Sequence, residues 1–351
     1  MRTALIGLPQ TGKKTLFSLL TGIPYQHLLA RSTDYHVGTV KVADPRVDRL
    51  SAMYHPQRTK YAEIELTLAP APPTETKARD QWLQKLKDMD ALAHVVRAFA
   101  DPAVFHPAGS VNPARDIEQM NLELTISDLA LIETRLTRIA QDQKRKPDPD
   151  RADEAALLQR LKPHLESGQP LRTYPWQPAE EKRIRSLQLL TLKPIVTILN
   201  TDESNTATAP DDPLTCRLNA KLEAEIAEIE NPAERAEFLA ALGIREPALH
   251  QLTRLLYRAL GYISFFTVGP DEVRAWSIRH GATAVEAAHA IHSDLARGFI
   301  RAEVMKYDEL IAAGSDGHKA EVHLKETGRL LLKGRDYVVE DGDIVHIRHS
   351  S

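Results

Sequence analysis

The amino-acid sequence predicts an α/β protein. A largely parallel sheet is built around an N-terminal strand, loop and helix, a pair of antiparallel helices is inserted into it, and a small mixed sheet closes the chain. Three observations carry this. Apolar runs of strand length alternate with segments of helical spacing over residues 1–111 and again near Ile195. From Asn112, apolar residues recur at three- and four-residue intervals with no strand between them. From Tyr262 the pattern turns to β alternation. The expected parts are 1–111 with 187–261, then 112–186, then 262–351, a division that suits 351 residues.

Thr3 to Ile6 is apolar and meets Gly7, so it reads as a buried strand, with Gly7 to Gly12 as a loop. Lys13 to Leu20 follows as a helix with Leu16, Leu19 and Leu20 on its buried face. Thr39 to Val42 and Ile64 to Leu68 alternate with period two, while Ala91 to Phe99 and Ile195 to Leu199 are apolar runs suited to a sheet centre. In the insertion, Leu122, Ile126, Leu129, Ile132, Leu136 and Ile139 form a stripe. Lys144 to Asp150 breaks it and Ala155 to Leu161 resumes it, giving two antiparallel helices with a charged tip. Asn112 to Ser186 holds 13 basic and 13 acidic residues, the balance of a solvated, salt-bridged arm. Glu234 to Leu242 and Pro247 to Leu260 read as helices stopped by Gly243 and Gly261. In the tail, Ser264 to Val268, Val273 to Ile278, Phe299 to Val304, Tyr337 to Val339 and Ile344 to Ile347 read as strands, with one helix, Val285 to His292, among them.

A net charge of -3 gives no global attraction to DNA or to an anionic membrane. The single cysteine, Cys216, excludes an intramolecular disulfide and a zinc site built from several cysteines, and reads as a small buried hydrophobe. Ala4 to Leu8 stops at Pro9, too short for a signal peptide, and no run reaches the roughly 18 apolar residues of a membrane span. The expectation is a cytoplasmic protein. Glycine is scarce: there are 16, and none lies between Thr39 and Ala108.

Gly7-Leu8-Pro9-Gln10-Thr11-Gly12-Lys13-Lys14-Thr15 follows the Walker A pattern through its lysine, between a strand and a helix as that pattern requires. Backbone N–H groups of such a loop converge on phosphate, with charge added by the lysine and by the helix N-terminus. The nucleotide-binding candidates are therefore Pro9, Gln10, Thr11, Gly12, Lys13, Lys14 and Thr15. Lys14 breaks the pattern, because the next position takes a Ser or Thr whose hydroxyl ligates Mg²⁺, and a protonated amine has no lone pair to give. Thr15 is turned about 100° further around the helix axis and does not simply replace it. Two outcomes are open: the Lys14 ammonium stands in part for the metal's charge, or the loop survives as scaffold.

Other segments carry a resemblance. Gly7 to Phe17, Asp44-Pro45-Arg46-Val47-Asp48, His94-Val95-Val96-Arg97, Val111 to Ala114, Asp116 to Glu118 and Leu192 to Pro194 are similar to segments of the YchF / Obg-like ATPase family, in family order. So are Glu272 to Trp276, Gly281 to Ala284, Ile291 to Asp294, Arg297 to Ala302, Gly334 to Val338 and Asp341 to Asp343. The resemblance spans nearly the whole chain. It implies a P-loop NTPase domain, a coiled-coil-like helical insertion and a C-terminal TGS domain of β-grasp type.

Departures from the family bear on function. The family strand matching Glu63 to Leu68 ends in D-x-A-G, whose aspartate helps hold Mg²⁺ and whose glycine N–H senses the γ-phosphate. Here the strand runs into Thr67-Leu68-Ala69-Pro70-Ala71-Pro72-Pro73, and proline has no N–H. The first switch's metal-binding threonine falls near Ser32 or Thr33, in a poorly matching segment. With its metal positions altered together, the chain is expected to hydrolyse poorly. Asn200-Thr201-Asp202-Glu203 matches the family's N-x-x-E base-reading loop, which goes with ATP; Asp202, where the family commonly has Asn, leaves ATP or GTP open. In the tail, Arg274, Arg297 and Arg301 are candidates for a phosphate-contacting strip beside Trp276 or Phe299. The TGS resemblance suggests contact with ribosome, RNA or protein partners.

The resulting expectation is an Obg-like protein that binds ATP or GTP, with Mg²⁺ short of its ligands, acts in translation and hydrolyses weakly or not at all. The alternative is a pseudo-NTPase scaffold acting through its tail and helical arm. The third reading is an ATPase with relocated metal ligands.

Overall fold

The computed structural model describes residues 1–177, 179–203 and 212–350. It divides into two compact units, one of Met1–Gly38 with Glu65–Ala248 and the other of Thr39–Ile64 with Leu249–Ser351. Twelve strands are numbered in chain order.

The first sheet has the order β2-β4-β1-β5-β6-β7, from β1 (Arg2–Ile6), β2 (His36–Lys41), β4 (Glu63–Leu68), β5 (Ala91–Ala98), β6 (Ile195–Thr201) and β7 (Thr215–Leu218). β1 pairs in parallel with β4 and β5, β5 with β6, and β6 with β7. The apolar runs at Ala91 and Ile195 are central because a strand covered on both faces has no polar side to show. Trp82, Leu83 and Leu86 of the helix Thr76–Lys87 pack with Met120 and Leu124 of the long helix Pro113–Arg145 against Ala4, Ile6, Leu92 and Ile195. Further along, Ile132 and Ile139 of the long helix meet Leu157, Leu158, Leu161 and Leu165 of the helix Pro149–Glu166.

The predicted stripe on the long helix holds only in part. Leu122 is 58% and Ile126 55% exposed. Near its base the helix buries Met120, Leu124 and Asp128, because there it faces the sheet rather than its partner helix. The fully buried Asp128 carboxylate accepts from the Leu190 N–H at 2.9 Å, the Thr191 N–H at 2.7 Å and the Thr191 hydroxyl at 2.7 Å, so the long helix holds the segment entering β6.

The second sheet has the order β11-β10-β12-β8-β9-β3, from β3 (Arg58–Lys60), β8 (Tyr262–Thr267), β9 (Glu272–Arg279), β10 (Phe299–Lys306), β11 (Leu331–Lys333) and β12 (Asp343–His349). Ala284, Ala287 and Ala288 of the helix Ala284–Ile291 lie on Phe265, Ile278, Phe299, Val304 and Val345. That helix begins with a capping box between Thr283 and Glu286. Residues 39–64, read from the sequence with the N-terminal domain, fall in this unit, apart from the residues they contribute to β2 and β4 of the first sheet. β3 pairs in parallel with β9, Lys60 pairs with Glu272 at 3.1 Å, and Arg46 bridges Asp44 and Asp341. The tail holds four helices where one was predicted, Ser293–Arg297, Tyr307–Ala313 and Gly317–Glu326 being the additions. Tyr337 to Val339, predicted as a strand, contributes a single bridge from Val338 to Thr283. Among the described residues no helix is long and apolar enough to cross a membrane.

Candidate nucleotide-binding site

The site lies where β1 ends. Gly7 has φ +146° and the Val95 carbonyl oxygen 2.3 Å from where a Cβ would stand, so a larger residue there has no room. Gln10 (φ +57°) and Gly12 (φ +91°) take left-handed conformations, and Gly12 leads into the helix Lys13–Thr21. Such a backbone turns N–H groups to one side of the loop. Beside it is a cavity of about 360 Å³. Pro9 to Thr15 form one wall, Tyr25, Leu29, Ser32 and Asp34 a second, and Leu68, Ala69, Pro70 and Ala71 a third.

All seven loop candidates thus meet in one place. Lys13 is buried and its ammonium donates to the carbonyls of Gly7 at 2.5 Å and Leu8 at 2.7 Å. Burial, and secondarily the Lys14 charge, push it down to about 7. Lys14 lines the cavity and has no hydrogen-bond or ion-pair partner among the described residues. His94, in register with Ile6, is buried with its Nε2 unpartnered among the described residues. Burial, then Lys13, hold it down to about 3, so it adds no charge at neutral pH.

Asn200 braces the loop. Its Nδ2 donates to the Thr11 carbonyl at 3.0 Å, and its Oδ1 accepts from the Ala220 N–H at 3.0 Å. A Cβ on Gly12 would stand 2.3 Å from that Nδ2. Asp202 accepts from the Ala100 N–H at 2.9 Å, and Glu203 is exposed; neither lines the cavity. Sequence reasoning therefore named the loop and Asn200, the latter as part of a base-reading segment and not as the loop's brace, but not Tyr25, Leu29 or Asp34, whose place depends on how the segment after the first helix turns back.

In the third wall, the D-x-A-G register falls on Thr67-Leu68-Ala69-Pro70. The Ala69 N–H is taken by the Leu5 carbonyl at 3.0 Å. Trp82 Nε1 donates to the Pro70 carbonyl at 3.1 Å and Arg79 Nε to the Pro73 carbonyl at 3.2 Å, tying the segment to the following helix. Mg²⁺ does not fit this donor set. An ammonium holds the hydroxyl position, Pro70 the sensor position, and among the described residues Asp34 is the one carboxylate in the lining; of the two switch candidates, Ser32 lines the cavity and Thr33 does not. Among the described residues no group of three His, Cys, Asp or Glu could hold a metal.

The tail arginines are not brought into one strip. Arg274 stacks over Trp276 at 3.7 Å, on the face that packs against the helix Ala284–Ile291. A register shift between Phe299 and Arg301 sends Arg301 to the opposite face, paired in register with Arg348, and β12 and β8 lie between β10 and β9. Arg297 is exposed and pairs with Asp294. Phe299 is core, while Trp276 is half-buried against it.

A parallel sheet whose first strand feeds a glycine-bounded loop with a buried lysine, and then a helix, defines a P-loop nucleotide-binding fold. The family model YchF-GTPase_C, described as "Protein of unknown function (DUF933)", matches residues 262–350. The chain is 36% identical to the Ribosome-binding ATPase YchF of Bacillus subtilis, over 99% of each. It is 31% identical to Obg-like ATPase 1 of Oryza sativa subsp. japonica, over 99% of this chain and 92% of that one. The structure of the Schizosaccharomyces pombe YchF GTPase superposes with TM-score 0.84 at 29% identity, over 99% and 97% of the two chains. The chain belongs to the YchF / Obg-like ATPase family.

Proposed function

We propose that the chain is a nucleotide-binding, ribosome-associated cytoplasmic protein that hydrolyses its nucleotide weakly or not at all. The observation that carries this is a formed phosphate loop, braced by Asn200, beside metal and sensor positions held by Lys14 and Pro70. Phosphoryl transfer depends on a positioned metal and on donors aimed at the terminal phosphate, and here the hydroxyl position of the metal is taken by Lys14 and the sensor position by Pro70, which has no N–H. The ribosome-binding name of the bacterial relatives supports the association. The partner surfaces on this reading are the TGS-like segment 262–351 and the helical arm 112–186. Calorimetry of the full chain with ATP and GTP, with and without Mg²⁺, should show heat of binding, and a phosphate-release assay should show little turnover. No binding to any nucleotide sinks the reading.

The Lys13 ammonium, engaged with two carbonyls of its own loop, favours a second reading, a scaffold whose loop is satisfied from within. Lys13→Ala separates the two in ribosome co-sedimentation with and without nucleotide. A scaffold keeps its binding unchanged, whereas a nucleotide-controlled protein loses the difference between the two conditions.

A further inference from the structure

The residues at the metal position disagree with Mg²⁺, and we infer from that disagreement the form of the ligand: the site takes a metal-free nucleoside diphosphate, with the Lys14 ammonium in place of the ion. This rests on the nucleotide-binding reading above and specifies its ligand.

Charge is the first argument. Lys14 lines the cavity next to Lys13 without a carboxylate partner among the described residues, and its charge adds to the cost of the buried Lys13 ammonium. A polyphosphate between them relieves that cost and gains the helix N-terminus as well. A dication brought to the same place meets an ammonium that cannot coordinate it and repels it.

The third wall is the second argument. A third phosphoryl group points toward the end of β4, where a γ-phosphate sensor would stand. There Leu68 and Ala69 are buried apolar residues, the Ala69 N–H is taken by Leu5, and Pro70 has none to give. Trp82 and Arg79 hold this wall from behind, so it does not turn a donor inward without breaking both bonds. A terminal phosphoryl group against Leu68, Ala69 and Pro70 is desolvated without a donor from any of the three, which is costly for an anion. A diphosphate ends before that wall.

Calorimetry of the full chain with ADP and ATP, each in EDTA and in excess Mg²⁺, tests this. ADP should bind in EDTA, excess Mg²⁺ should weaken it about tenfold, and ATP should bind about fivefold more weakly than ADP, in keeping with one unfavourable charge contact. Lys14→Ser restores the hydroxyl of the motif and should turn the Mg²⁺ effect from weakening to tightening. Should that variant fail to fold, the Mg²⁺ dependence of the unaltered chain decides alone. Binding that requires Mg²⁺, or ATP bound more tightly than ADP, overturns the inference and leaves nucleotide binding standing. No binding under any condition overturns the nucleotide reading itself.

Discussion

Replacing Asn200 by alanine should cost the first unit much of its stability, although Asn200 is the next-to-last residue of β6. The side chain closes two gaps at once, donating to the Thr11 carbonyl and accepting from the Ala220 N–H, each at 3.0 Å. Asn200, Thr11 and Ala220 are all buried, so water does not freely replace the lost partners. A buried polar group left unpaired costs about 1–3 kcal/mol, and partial relaxation around two of them gives about 2–4 kcal/mol. The assay is urea unfolding followed by tryptophan fluorescence in a Trp276→Phe background, where Trp82 and Trp176 report on the first unit alone. The midpoint should fall by about 1 M or more. Asn200→Asp keeps the acceptor for Ala220 and loses the donor to Thr11, so it should also destabilise. A loss below about 0.5 kcal/mol for Asn200→Ala, or a fully stable Asn200→Asp, refutes the bridge.

Lys13 and Asp128 give two further tests. Lys13 is held at about 7 against an ordinary 10.5, so between those values the unfolded chain carries a proton that the folded chain has released, and stability rises with pH. Relative to Lys13→Met, the unaltered chain should gain about 2 kcal/mol between pH 7 and pH 9; a flat difference in paired urea titrations refutes the buried ammonium. Asp128→Ala strips the acceptor from the Leu190 and Thr191 N–H groups and should cost about 3–5 kcal/mol in the same assay, with a loss under about 1 kcal/mol refuting the clamp.

The loop was legible because each of its residue types has a stereochemical task. Gly7 and Gly12 stand where a Cβ collides, and Lys13 supplies the charge. The same logic located Gly243 and Gly261, both left-handed at helix ends. β3 was not legible: Arg58, Thr59 and Lys60 are all exposed, with no apolar alternation, and form a strand only because β9 offers them an edge. The arginine strip failed for a related reason. Its geometry hung on a one-residue shift in β10, and such a shift moves a side chain to the other face without a mark in the pattern of residue types. The helix Gly317–Glu326 was hidden by a glycine at its first position, although Asp316 caps it by accepting from the Lys319 N–H.

The pairing of Arg58 with Glu272 also sets an order of events during synthesis. At about 5–20 residues per second, β9 is made some ~10–40 s after the strand that must lie beside it. For that interval β3 has no sheet to join. The same dependence limits dissection: a fragment beginning at Tyr262 lacks β3 and leaves the β9 edge without its neighbour, a row of open N–H and C=O groups that invites pairing between fragments. A soluble C-terminal fragment will need residues 39–64 supplied with it, joined by a short linker to the start of its own sheet.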